Sequence, residues 1–247
     1  QNQGGISMKI LHLYHDIMNL YGEYANVLAM QRILSNSGFE CTIDRLSIGD
    51  NADLSAYDFI YVGSGTERNQ RVVLKDIKKY ADDLKKLIDG GRVILMTGNS
   101  FEMLGKTVTD AEQNSFNGLG IFEFTTTEQN KSRVTADAVF SADFLDKPLV
   151  GFVNKCSEIS NVENPLFEVK MGLGNKSGDK HEGVRKNNFF GTHLTGPVLI
   201  KNPYFLEYMA GLVAKDSKAI NTENLSYERA GYEVTLSELE KRMNENK

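Results

Sequence analysis

The chain predicts an α/β domain on a mostly parallel sheet covered on both faces, with an antiparallel extension in its second half. Three observations carry this. The runs KILHLY (9–14), DFIYV (58–62) and RVILM (92–96) are short and almost wholly apolar, as strands buried on both faces are. Helical periodicities lie between them, at the length that joins parallel strands. From about Gly118 the runs alternate and follow one another through polar loops.

Taken in order, Lys9–Tyr14 reads as the first strand. Gly22–Ser37 is a helix, with Tyr24, Val27, Leu28 and Leu34 on its apolar face and Gly38 as its stop. Phe39–Leu46 alternates as a strand, with Cys41 and Ile43 in phase. Asp58–Val62 is a buried strand running into Gly63-Ser64-Gly65. One continuous helix follows, marked by Leu74, Ile77, Tyr80, Ala81, Leu84, Leu87 and Ile88 and ended by Asp89-Gly90-Gly91. Arg92–Met96 is the next strand, and the turn Thr97-Gly98-Asn99-Ser100 leads into a short helix. Ile121–Thr125, Arg133–Phe140, Leu149–Phe152, Phe167–Met171 and Asn188–Leu194 read as strands. Asn175–Lys180 reads as a mobile surface loop. Helices return after Pro197, around Leu206, Met209, Ala210 and Val213, and end in Ser226–Met243, a charged helix expected to be solvated.

The chain has 247 residues, 40% hydrophobic and 25% charged, with a net charge of −5. That composition excludes a disordered chain. The mild acidity argues against nucleic-acid binding through phosphates and against a polybasic membrane-surface protein. The two cysteines, Cys41 and Cys156, have no metal spacing and make no disulfide framework, which suits a reducing cytoplasm. No apolar run approaches the ~18 residues of a membrane span. Residues 1–7 (QNQGGIS) precede Met8 and read as an expression scar. Residues 8–247, with four prolines and no evident linker, read as one domain.

In an open parallel sheet, ligands bind beyond the carboxyl ends of the strands. Gly63-Ser64-Gly65 and Thr97-Gly98-Asn99-Ser100 occupy that position. Glycine lets a backbone approach a ligand and turn N–H groups toward an oxyanion or carboxylate. Neither turn has dinucleotide or P-loop spacing. No cofactor and no metal site is read from the chain.

Landmarks run along nearly the whole length: LYHDIMNLYGEYAN, YDFIYVGSGTERNQ, VILMTGNSFEMLGK, NGLGIFEF, NKSRVTAD, VGFVNK, MGLGNKSGDKHEGV and FFGTHLTGPVL. In this order and spacing, from Leu11 to about Ala214, the chain resembles the class I (triad) glutamine amidotransferases. It resembles their cobyric acid synthase-like branch, and most of all the glutaminase subunit of lipid II isoglutaminyl synthase, a cell-wall enzyme. The resemblance implies a flavodoxin-like three-layer fold. It also implies a Mur-ligase-like synthase as partner, and glutamine or another small amino acid as ligand. In that family a cysteine in CGG[FY]Q-x-LG attacks the glutamine amide. A histidine in HGP serves as base, and backbone N–H groups hold the oxyanion.

The cysteine position, pinned by Phe101, Leu104 and Gly105, falls on Gly98. The histidine position, pinned by Gly191 and Gly196-Pro197, falls on Thr195. Both catalytic side chains are therefore missing. Thr97 and Ser100 are the nearby hydroxyls, and His193 is two residues from Thr195, on the same side of an unbroken strand. Cys41 reads as packed and Cys156 as lying near a pocket rim. Arg133 matches an arginine that orients substrate through its α-carboxylate. Gln70 matches the glutamine of GGGxDxEQ, in which Ser64, Glu67 and Asn69 replace Gly, Asp and Glu. Val153 and Lys155 replace the Glu and His of GFENH. The expected ligand-binding residues are Gly63, Ser64, Gly65, Gln70, Asn99 and Arg133, around an unfilled pocket. The expected function is that of a pseudo-amidotransferase binding a partner or small ligand without hydrolysing glutamine. The competing expectation is an active glutaminase subunit that delivers ammonia to its partner.

Overall fold

The computed structural model describes residues 6–130 and 133–245. Residues 1–5 of the expected scar and residues 131–132 of the NKSRVTAD landmark lie outside them. Ser7, the last residue of that segment, pairs with Glu40 at the start of the first strand.

The first half is built from β1 (Ser7–Leu13), α1 (Ala25–Asn36), β2 (Glu40–Leu46), β3 (Phe59–Val62), α2 (Glu67–Ile77), α3 (Ala81–Asp89) and β4 (Val93–Thr97). Short strands follow: β5 (Thr107–Thr109), β6 (Ser115–Asn117) and β7 (Thr125–Glu128). Longer ones come next, β8 (Val134–Ser141), β9 (Leu149–Lys155), β10 (Ser157–Ser160) and β11 (Phe167–Met171). The last strands are β12 (His181–Glu182), β13 (Val184–Lys186), β14 (Phe189–Thr192) and β15 (Leu194–Thr195). The chain closes with α4 (Val198–Lys201), α5 (Pro203–Ala214) and α6 (Ser226–Glu245).

The central sheet has the order β13-β14-β4-β3-β1-β2. Only its edge pair, β13 with β14, is antiparallel. β4 is central, as its apolar run Val93–Met96 requires. Val93 and Leu95 face one layer, with α1 and α5, while Ile94 and Met96 face the other, with α2 and α3. The antiparallel part forms two further sheets, β10-β7-β5-β6 and β12-β11-β8-β9-β15.

Four expectations are corrected. The helix marked by Leu74 to Ile88 is broken by a 3-10 turn at Lys78–Tyr80. Steps of three residues between apolar positions fit an α-helix and a tightened turn alike, so periodicity does not separate them. Residues 121–124 are not a strand: the Ile121 and Phe122 amides donate to Leu104 O at 2.9 and 3.1 Å. The terminal helix is not merely solvated. Tyr232, Leu236 and Leu239 are buried against Val139 and Val150 on the outer face of the β8–β9 pair. The 175–180 loop starts from a fixed point, since Asn175 is buried and exchanges hydrogen bonds with the Gly183 backbone at 2.8 and 3.1 Å.

Candidate functional site

A cleft opens at the carboxyl edge of the central sheet, where β1, β3, β4 and β14 end. Ser64 and Gly65 follow β3, Gly98 and Asn99 follow β4, and His193 and Thr195 follow β14. Arg133 and residues 154–157 close the outer side.

The β4 turn is an elbow. Gly98 has φ +64° and opens a 3-10 helix running to Leu104. That left-handed conformation turns the chain sharply from strand to helix and presents residue 98 to the cleft. The hydroxyls on either side point elsewhere. Thr97 Oγ1 donates to Glu23 Oε1 at 2.7 Å and lies 2.8 Å from the Tyr61 hydroxyl. Ser100 Oγ donates to the carbonyls of Thr97 and Val62 at 2.8 and 3.2 Å. Both residues are fully buried, and neither is placed as a nucleophile.

The opposite turn is closed on itself. The Ser64 N–H donates to Glu23 Oε2 at 2.6 Å, so it is not free to hold a ligand. Ser64 Oγ donates to the same oxygen. The Gly65 N–H donates to Asn99 Oδ1 at 3.0 Å, and Asn99 Nδ2 returns a bond to Gly65 O at 2.9 Å. Glycine is required at 63, where a Cβ would lie 2.4 Å from Met18 O. The cleft is filled at position 98 as well, because a Cβ there would lie 2.1 Å from Ser64 Cβ. The expectation that losing the cysteine leaves space is thereby corrected: the Ser64 side chain stands in that space. Glu23 is fully buried, and burial holds its carboxyl above the usual range despite bonds from Ser64 and Thr97.

Deeper in the cleft, His193 sits where the chain leaves the central sheet between β14 and β15. The 188–194 run is therefore two strands in two sheets, and strand alternation does not relate His193 to Thr195. His193 Nε2 lies 2.8 Å from Glu102 Oε1, with both side chains 2% exposed. Glu102 also accepts from Gln70 Nε2 at 2.9 Å and from Ser157 Oγ at 2.5 Å. The backbone N–H of His193 donates to Glu182 Oε1 at 2.7 Å, and its ring packs on Phe101 at 4.7 Å. Thr195 Oγ1 donates to Phe152 O at 3.2 Å. Gln70 Nε2 also reaches the Asn99 carbonyl at 2.5 Å. Gln70 therefore braces the elbow helix.

The Lys155 side chain turns to the 174–175 backbone. Its Nζ donates to Gly174 O at 2.6 Å and Asn175 O at 2.9 Å, and burial lowers its pKa. Val153 packs in the core beside Leu194. Arg133 does reach the cleft, but it is already engaged. NH1 pairs with the Glu67 carboxylate, and Nε donates to Asn154 Oδ1 at 2.8 Å. Burial pushes the Glu67 carboxyl up, and the Arg133 and Cys156 hydrogen bonds more than offset this, so its pKa falls below the usual value. Burial and the neighbouring Glu67 push the Cys156 thiol up to about 12, which leaves it a poor nucleophile. Cys41 is half-buried against the core, far from the cleft in the fold. The cleft encloses a cavity of only about 20 Å³. That is room for about one water molecule.

Glu23, Glu102 and Glu182 were not singled out in the sequence. Glu102 was findable, since it stands at the Gln of the CGG[FY]Q pattern. Glu23 and Glu182 carry no such local sign.

A parallel sheet with its elbow after the central strand, facing a turn after the neighbouring strand, is the architecture of the class I glutamine amidotransferases. Solved structures agree. One glutamine amidotransferase superposes with a TM-score of 0.55 at 16% identity, over 83% of this chain and 98% of that one. A glutamine amidotransferase from Thermotoga maritima superposes with a TM-score of 0.52 at 11% identity, over 96% and 97% of the two chains. These likenesses show the fold. Residues 9–203 match the CobB/CobQ-like glutamine amidotransferase domain, and the chain belongs to that family. It is 29% identical to the GatD subunit of the glutamine-hydrolyzing lipid II isoglutaminyl synthase of Streptococcus pneumoniae, over 79% of this chain and 76% of that protein. The corresponding Staphylococcus aureus subunit is also 29% identical, with 82% of each chain covered. A probable cobyric acid synthase of Methanococcus maripaludis is 26% identical, over 79% of this chain and 41% of that protein. Among the described residues no helix is long and apolar enough to cross a membrane.

Proposed function

We propose that this chain is a non-hydrolysing member of the glutamine amidotransferase family that acts by binding a partner or a small ligand. The observation that carries this is the elbow: it keeps its left-handed turn but holds glycine at 98. Amide hydrolysis by this fold needs a nucleophile there, a base beside it and free N–H donors for the oxyanion. Thr195 supplies no base, and the N–H groups of Ser64 and Gly65 are engaged by Glu23 and Asn99. His193 is held by Glu102, with no nucleophile beside it.

The relatives named as subunits of lipid II isoglutaminyl synthase support a Mur-ligase-like synthase as the partner. Arg133 is neutralised by Glu67, and a glutamine enters the cleft only if the side chains around Arg133 and Cys156 move. The test is ammonia release from glutamine by the chain alone and with the synthase. Turnover is expected at background, because loss of triad members removes several powers of ten in rate. Robust turnover in either case overturns the proposal.

A further inference from the structure

We propose that Ser64 is a plug: its side chain occupies the volume that a side chain at position 98 needs, so residues 64 and 98 have exchanged bulk across one contact. The inference rests on the non-hydrolysing reading above and adds to it the reason why the elbow stays closed. The chain departs from its family's sequence pattern at both turns. It carries a side chain where the family pattern has glycine, at 64, and glycine where that pattern has the nucleophile, at 98.

Three contacts make the plug rigid. A Cβ on residue 98 would meet Ser64 Cβ at 2.1 Å, Oγ at 2.8 Å and Cα at 3.2 Å. The nearest obstruction is thus the root of the side chain, which no rotamer moves. Ser64 is 4% exposed, so there is no solvent into which it can swing. Its Oγ and N–H both donate to Glu23 Oε2, and its carbonyl accepts from the Leu20 N–H at 3.0 Å. The turn is therefore held from three atoms. Glu23 is in turn fixed by Thr97 Oγ1, so the two turns facing the cleft are tied through one carboxyl. A thiol restored at 98 alone has to displace the 63–65 turn and break this network. Restoring it together with glycine at 64 opens the space and removes the hydroxyl from Glu23.

The experiment reads space rather than catalysis. In a chain carrying Cys41→Ser and Cys156→Ser, Gly98→Cys is compared with Ser64→Gly plus Gly98→Cys. Iodoacetamide labelling of the introduced thiol and the melting temperature are both measured. Gly98→Cys alone is expected to lower the melting temperature and to label slowly. Adding Ser64→Gly is expected to raise the melting temperature and speed labelling on the order of tenfold, since thiol reactivity follows access. A single variant that fails to fold beside a double variant that folds has the same meaning. Equal labelling and equal melting in both variants overturn the proposal, as does a double variant that stays unlabelled or unfolded. Glutamine hydrolysis by the unmodified chain would overturn the proposed function and leave the labelling ratio untouched, so the two failures are distinguishable.

Discussion

Glu102 is the side chain on which the interior of the cleft depends, and replacing it by alanine tests that directly. Its carboxylate accepts from His193 Nε2, Ser157 Oγ and Gln70 Nε2. In Glu102→Ala, Gln70 Nε2 keeps its second acceptor, the Asn99 carbonyl. Ser157 and His193 do not: they are 5% and 2% exposed, and water reaches neither freely. Stranding a buried polar group costs about 1–3 kcal/mol, so two give about 2–6 kcal/mol. In a chain of this size each kcal/mol lowers the melting temperature by roughly 2–4 °C. The expected fall is then about 4–24 °C, read by calorimetry. Glu102→Gln keeps the shape and one acceptor oxygen, and should cost about 1 kcal/mol. An alanine variant within about 0.5 kcal/mol of the parent, the range of an ordinary surface change, would refute the reasoning. It would mean that Ser157 and His193 find other partners and that the cluster organises nothing.

Two further outcomes concern pH. His12 lies on β1 with its ring buried among Tyr61, His15, Arg45 and Asp16; burial, then His15 and Arg45, lower its pKa from 6.5 to about 4, with Asp16 opposing. The neutral ring is favoured in the fold, so its contribution is full above pH 6.5 and is lost as pH falls toward 4. The loss is about 3 kcal/mol, and urea midpoints for His12→Leu should fall less over that window; parallel curves would contradict this. Glu23 has the opposite sign, because its folded pKa is raised by burial. Its contribution is present below the ordinary value of 4.5 and is lost as pH rises. Glu23→Gln should therefore gain on the parent as pH rises above 4.5, whereas a constant gap in melting temperature would contradict it.

What the sequence by itself determined is local in character. β1, β3 and β4 were legible because a strand buried on both faces has no polar alternative to offer. The elbow at Gly98 and the missing side chains at 98 and 195 were legible because they are residue identities in a recognisable order. Motif position alone suggested Arg133 and Cys156 for the cleft, which both line. The tertiary structure decided the rest. It broke the helix marked by Leu74 to Ile88 at Lys78–Tyr80, because periodicity reports an apolar face and not the tightness of each turn. It made the polar, Thr-rich segments 107–109 and 125–128 into neighbouring strands, where pairing across the sheet outweighs a weak pattern. It gave Arg133 to Glu67, drew Lys155 onto the Gly174–Asn175 carbonyls, and joined Glu23 to Ser64 and His193 to Glu102. These last two pairs are 41 and 91 residues apart in the chain. A buried carboxyl finds its donors through space, and no local pattern marks which they will be. The closing of the site at Ser64 belongs to this second kind. It is a collision between two turns, and it exists only once β3 and β4 lie side by side.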